Sequence, residues 1–296
     1  MKVCVNYLLA VCGFALIASS SAGAADKMTL EHGGSQRSYL LHVPKTNDAG
    51  KPAPLLIALH GTNMRAETML AHTDLVRKAD AAGFILVLPD SRGLAFNDGS
   101  SFGGADSVAA DDVGFIEALA EDVKRRHKVN ADAMFLTGFS SGGSMTQRVL
   151  IESRYPFAAY ASVANNFRVA TSGMGRPAPL LLVFGTADPL NPVAGGQVSI
   201  PVTLTKPSHE STAMNWVTRM DCKGPAPSSA TAPKVIARSW KQCAGGASLT
   251  WYSIDGLGHH WSGAEPMPFP SFVIGEQLDS PNLSDLIWEF FVSTRK

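Results

Sequence analysis

Short apolar runs closed by turn residues recur along the chain and alternate with stretches of helical spacing. "RSYLLHV" (Arg37 to Val43) alternates as an early strand should, and "LLIALHG" is a buried strand running into a turn at Gly61. Residues Glu67 to Ala82 carry helical spacing, and "FILVLPD" (Phe84 to Asp90) is a second buried strand. "DDVGFIEALAEDVKRRH" places acids in its first turn and bases in its last, as a helix macrodipole favours. Asp111 and Asp112 then read as cap and dipole residues. The strand "MFLTG" and a following helix come next. "LLLVFG" (Leu180 to Gly185), a helical "STAMNWVTRM", "LTWYSI" (Leu249 to Ile254) and a closing helix "LSDLIWEFFVS" complete the pattern. Apolar strands alternating with amphipathic helices predict an α/β fold: a mostly parallel central sheet with helices on both faces. No internal repeat or long linker divides it, so residues 26–296 read as one domain.

One junction in this pattern is chemical. "GFSSG" (Gly138 to Gly142) fits G-x-S-x-G with Ser140 at its centre, between a strand and a helix. In such a turn the serine hydroxyl projects above the sheet. Flanking glycines remove Cβ atoms that would clash where helix folds back on strand. "GSSFG", centred on Ser101, matches the same pattern but has no strand before it, so Ser101 reads as a loop residue. A serine needs a base to take its proton, and that base needs an orienting acid. In this arrangement the order is serine, acid, histidine. "TADPLNPV" puts Asp188 just past a strand end, and "DGLGHHW" puts His259 and His260 on a turn after the last strand. The expected triad is Ser140, Asp188 and His259. Asp255 precedes the histidines too closely to face the ring from the far side. An oxyanion hole would use the amide of Ser141 and one from the turn after "LHG", with Thr62 the candidate. His60 precedes the nucleophile in the chain and reads as a residue shaping that turn. Trp261 is a candidate pocket wall beside His259, with a core role as the equal alternative.

Charge adds only exclusions. The 296 residues hold 25 basic and 25 acidic side chains, so nothing points to nucleic acid or an anionic membrane. Apolar residues at 45% can build a sizeable core, and charged residues at 17% fall below the usual quarter. The first residues differ from the rest: Lys2, an uncharged stretch from Val3 to Ala18, then "SAGAA". That layout predicts a secretory signal peptide over residues 1–25, cut after Ala24 or Ala25, and a secreted or periplasmic chain with no membrane attachment. Removal takes Cys4 and Cys12 and leaves Cys222 and Cys243 in an oxidising compartment. The expected arrangement is one disulfide stapling an exposed loop rich in proline, serine and alanine; two buried thiols are the alternative.

"LHGT", "PDSRG", "FNDG", "DDVGFIEAL", "TGFSSGGSM", "FGTADPLNPV", the paired cysteines and "GLGHHWSG" stand in a familiar order and spacing. From Tyr39 to Phe291 the chain resembles the secreted polyhydroxybutyrate depolymerase-like esterases, a group that includes feruloyl and acetylxylan esterases. The resemblance implies an α/β-hydrolase fold, ester hydrolysis through the same triad, and no metal or organic cofactor. Its pattern of glycine, any residue, glycine, histidine, any residue, tryptophan assigns the base to His259. Three positions depart from it. Phe96 stands where tryptophan is usual, His260 follows the histidine, and Ser262 replaces a proline. Phe96 and Ser262 bear on the acyl or alcohol pocket. The short stretch after the last helix favours soluble oligomers or small esters over crystalline polyester. A peptidase would use the same triad, and a non-catalytic binding protein would be expected to have lost part of it.

Overall fold

The computed structural model describes residues 25–45, 50–100, 103–166, 174–199, 203–224 and 227–295. The expected signal peptide, apart from Ala25, and Ser101 lie outside these. The chain begins with strands β1 (Asp26–His32), β2 (Ser35–His42) and β3 (Ala53–Leu59), then helices α1 (Ala66–Ala71) and α2 (Leu75–Ala82) and strand β4 (Ile85–Pro89). Helices α3 (Ala105–Val108) and α4 (Asp112–Arg126) lead to β5 (Val129–Phe139), α5 (Ser141–Glu152), β6 (Ala159–Val163) and β7 (Leu180–Gly185). A small separate hairpin, β8 (Gly196–Ser199) with β9 (Thr203–Lys206), precedes α6 (His209–Arg219). The chain closes with β10 (Ser228–Ala232), β11 (Val235–Trp240), β12 (Leu249–Ile254), α7 (Ser271–Ile274) and α8 (Leu283–Ser293).

The main sheet runs β1-β2-β4-β3-β5-β6-β7-β12-β11-β10. Its centre, from β4 to β12, is parallel, and an antiparallel pair closes each end. Side chains alternate between the two faces. Leu55, Ile57 and Leu59 of β3 pack with Phe115 and Leu119 of α4, Val149 of α5 and Trp216 of α6. Leu56 and Ala58 face the opposite layer, with Met69 of α1, Ala79 of α2 and Phe291 of α8. Both faces are therefore dry, which is why β3, β4 and β7 read as continuous apolar runs. Because the central strands are parallel, the loops after β3, β5, β7 and β12 all leave the same edge, where α/β sheets gather their ligand-binding groups.

Two expectations are corrected. The single helix expected over 67–82 is two helices, because Asp74 adopts a left-handed backbone at φ 55°. Aspartate tolerates that region better than most residues. Its carboxylate also accepts from Arg77 Nε at 2.6 Å and Asn282 Nδ2 at 2.8 Å, which ties the break to α8. The stretch between Cys222 and Cys243, expected to be an exposed loop, contains the β10–β11 hairpin, which extends the sheet from β12. β10 is almost entirely exposed, so its Ser-Ser-Ala-Thr-Ala sequence had no buried face to mark it as a strand. Cys222 and Cys243 are joined as a disulfide at the foot of this hairpin.

Candidate active site

Ser140 ends the β5 turn with φ 54° and ψ −120°, a strained conformation for a residue with a side chain. The local sequence permits it. A Cβ on Gly138 would lie 2.1 Å from the Gly142 carbonyl oxygen, and one on Gly142 would lie 2.3 Å from that of Leu59. Only glycine lets α5 start this close to β5 and β3. The Ser140 amide donates to the Val163 carbonyl at 2.9 Å, pinning the turn to the end of β6.

Three expected residues converge here. His259 Nε2 is 2.9 Å from Ser140 Oγ, and its Nδ1 is 2.8 Å from Asp188 Oδ2. All of Asp188 is enclosed at 3% exposure, and His259 is buried beside the Phe139 ring, 4.9 Å away. Asp188 Oδ1 accepts the Leu190 amide at 2.8 Å and the Asn191 amide at 3.0 Å, while Asn191 Nδ2 approaches Oδ2 at 3.2 Å. Burial on its own would raise the pKa of this carboxyl. The facing His259, with Asn191 and the Leu190 amide, outweighs that and holds it below the usual carboxylate range. The acid thus stays ionised against the ring.

His260 points elsewhere. Its Nε2 lies 3.1 Å from the Gly275 carbonyl, and its Nδ1 accepts the Met267 amide at 3.3 Å. Those partners fix the proton on Nε2 and leave no face for Ser140. Gly258, just before His259, has an ordinary φ; its need is room. A Cβ there would sit 2.5 Å from the Ile274 carbonyl oxygen, across which the Gly258 and His259 amides pair with Glu276 and Ile274. Asp255 instead accepts from Thr186 Oγ1 at 3.1 Å, while the ring's carboxylate partner is Asp188.

Opposite the serine stands the turn after β3. A Cβ on Gly61 would come within 3.1 Å of Ser140 Cβ, so this turn abuts the nucleophile candidate. Buried His60 accepts the Ser91 amide at Nε2, at 3.1 Å, so its Nδ1 carries the proton and donates to the Gly61 carbonyl at 2.8 Å. Burial lowers its pKa, keeping it neutral. The Gly61 carbonyl and the Thr62 N–H belong to one planar trans peptide, so holding the carbonyl aims the N–H the opposite way. Among the described residues neither the Thr62 nor the Ser141 amide has an acceptor.

The two expected pocket residues are interior. Trp261 is fully enclosed in the layer under α8 and donates from Nε1 to Ser284 Oγ at 2.9 Å. Phe96 is enclosed against His60, ring centres 4.8 Å apart, where it supports the Gly61–Thr62 turn. Ser262 is likewise buried and donates to the Pro281 carbonyl at 2.7 Å. Sequence reasoning missed Asn191, whose only advance mark was its place three residues after the acid. It also undervalued Asp112. Asp111 caps α4 as expected, but Asp112 is buried in an ion pair with Arg37 at 2.7 Å and accepts the Asn97 amide at 2.6 Å.

No protein-family model matches the chain. NocK of Nocardia uniformis subsp. tsuyamanensis, which carries an esterase name, is 28% identical over 291 residues, covering 88% of this chain and 80% of its own length. Feruloyl esterase C of Emericella nidulans is 29% identical over 187 residues, 60% of this chain and 66% of that protein. The chain thus spans slightly under two thirds of the fungal enzyme. The structure of an acetyl xylan esterase from Aspergillus awamori superposes with a TM-score of 0.62 over 91% of this chain and 99% of the other, at 16% identity, a likeness of fold. The chain has the α/β-hydrolase fold, as the motifs led one to expect. Both of these relatives carry esterase names.

Proposed function

We propose that the chain is an exported serine esterase in which Ser140 is the nucleophile, His259 the general base and Asp188 its orienting acid. The observation that carries this reading is the unbroken contact line from Ser140 Oγ through the His259 ring to Asp188 Oδ2, at 2.9 and 2.8 Å. His259 takes the hydroxyl proton as Oγ attacks the ester carbonyl, and a tetrahedral intermediate forms. The amides of Thr62 and Ser141 receive its oxyanion, helped by the positive end of α5. Collapse expels the alcohol, protonated by His259, and leaves an acyl-serine. Water, deprotonated by the same ring, attacks the acyl carbon, and the acid leaves as Ser140 regains its proton. No step calls for a metal or organic cofactor.

The substrates are carboxylic esters of the acetyl and feruloyl class named for its relatives, or hydroxyalkanoate oligomers. The catalytic unit is residues 26–296, released from a signal peptide over residues 1–25 into the periplasm or beyond. The disulfide fits an oxidising compartment, and no described helix is long and apolar enough to cross a membrane.

The test is hydrolysis of p-nitrophenyl acetate, methyl ferulate, acetylated xylan and hydroxybutyrate oligomers by the protein and two variants. Ser140→Ala should leave only the small rate that binding and the oxyanion hole provide, while Ser101→Ala keeps most of it. Equal loss in two folded variants would overturn the choice of nucleophile.

A further inference from the structure

Asn191 is 2% exposed, and every polar group it owns is engaged. Its backbone N–H donates to Asp188 Oδ1 at 3.0 Å, and its carbonyl lies 2.7 Å from His209 Nε2 on α6. Its Nδ2 donates to the Ala164 carbonyl at 2.8 Å and reaches Asp188 Oδ2 at 3.2 Å, while its Oδ1 accepts the Asn166 amide at 3.3 Å. These partners settle the orientation of the amide. Turned over, its oxygen would face the Ala164 carbonyl and the Asp188 carboxylate, two acceptors. The same nitrogen is 3.2 Å from His259 Nδ1. With Nδ1–H donating to Asp188, two N–H groups converge on one carboxylate oxygen.

Ala164 matters because of where it stands. It follows Val163, whose carbonyl holds the Ser140 amide, and it takes a left-handed φ of 52° with its own amide on Val183. One side chain therefore bridges the strand end that anchors the serine turn and the loop that carries the acid.

We infer that Asn191 is a positioning residue that fixes the acid loop to the nucleophile turn and completes the hydrogen-bond shell of Asp188. The inference rests on the triad reading above. It acts only through Asp188 and His259 and touches no substrate atom.

Two variants test it, each first checked for native fold by circular dichroism. Asn191→Ala removes both Nδ2 bonds and frees the acid loop. The expected result is a kcat about 10- to 100-fold lower with KM within about 3-fold, the scale of a small misplacement of a catalytic group. Asn191→Asp keeps an acceptor for the Asn166 amide but puts a second carboxylate beside the ring. The titratable groups around His259 are Asp188 and His260, with His209 behind Asn191. An added anion stabilises the imidazolium, so the acid limb of kcat/KM should move to higher pH by about one unit. A side chain at 191 that did not face the ring would leave that limb in place, and the positioning role itself is read from kcat and the His259–Asp188 proton resonance in Asn191→Ala. If Asn191→Asp does not fold, Asn191→Ala decides, read also by the low-field proton resonance of the His259–Asp188 bond, expected to shift or vanish. Folded variants with wild-type kcat, an unmoved acid limb and an unchanged resonance would overturn the inference. Labelling by a fluorophosphonate separates this from the triad itself: failure to modify Ser140 in the wild-type protein would defeat that reading, whatever Asn191 does.

Discussion

His259 and His260 are adjacent, both buried, and expected to fail in opposite ways. Replacing His260 by alanine removes the bonds to the Gly275 carbonyl and the Met267 amide. Each stranded group costs about 1–3 kcal/mol when it stays buried. Two such groups amount to roughly 2–6 kcal/mol, and at ~2–4 °C per kcal/mol for a domain of this general size the melting point should drop by roughly 4–24 °C. Activity per folded molecule should fall far less, since this ring faces α7 and not Ser140. His259→Ala inverts the pattern. Asp188 keeps the Leu190 and Asn191 amides and Asn191 Nδ2, so the stability cost is the smaller of the two. Turnover should drop by at least ~10³-fold, the scale of losing a triad member. The assay pairs thermal melts with kcat/KM on p-nitrophenyl acetate, measured well below the lower melting point. If folded His260→Ala loses as much turnover as His259→Ala, the base has been misassigned.

Three further perturbations concern a buried ion pair, the buried histidines and the disulfide. Asp112→Ala strands the Arg37 guanidinium, whose only carboxylate contact among the described residues is Asp112 and which stacks 3.8 Å over Phe115. Breaking such a pair should cost about 3–5 kcal/mol, and Arg37→Met with Asp112→Leu should recover much of it in urea melts; a single-variant loss below about 1 kcal/mol contradicts this. His60, His209 and His260 all have pKa values pushed below 6.5, chiefly by burial. With folded values below unfolded ones, their full stability is present above about pH 6.5 and drains as pH falls through the folded values, so urea midpoints should decline from pH 7 to 5. A midpoint that rises on acidification would show these rings to be protonated in the fold. Opening the Cys222–Cys243 bond with Cys222→Ser and Cys243→Ser should cost on the order of 3 kcal/mol. Mass spectrometry after alkylation without reductant, on protein recovered from the periplasm or medium, checks the bond itself, and two alkylated cysteines would deny it.

The parallel centre of the fold was legible because its strands are dry on both faces. β7 and β12 are bounded in the sequence at the residues where the structure bounds them, Leu180–Gly185 and Leu249–Ile254. β6 was not picked out, since "AYASV" is five buried residues without alternation or a strong β-former run. β10 was hidden for the opposite reason: an exposed edge strand needs no apolar code, only a partner, and its partner β11 is set by tertiary pairing with β12. The break between α1 and α2 hinges on the backbone of Asp74, which a periodicity of apolar side chains does not record.

The site divides along the same line. Ser140, Asp188 and His259 stand out because each is a potentially reactive residue type in the loop that follows a strand end, and parallel strands bring those ends to one edge whatever the details of packing. Their distances depend on something less visible. His60 reaches Gly61 only because Phe96 and Ser91, some thirty residues on, close around its ring. Asn191 reaches Ala164 across a separation of 27 residues, and only the adjacency of β6 and β7 makes that contact possible. Trp261 shows the converse: it lies two residues from His259 in sequence, yet its ring turns into the core to meet Ser284, 23 residues away. Reactive groups are therefore marked by local sequence, while the groups that hold them in register are marked only by the fold that brings distant polar atoms together. Determinants of rate in this chain are therefore to be sought at buried, fully bonded residues such as Asn191 and His60 as much as at the proposed triad they surround.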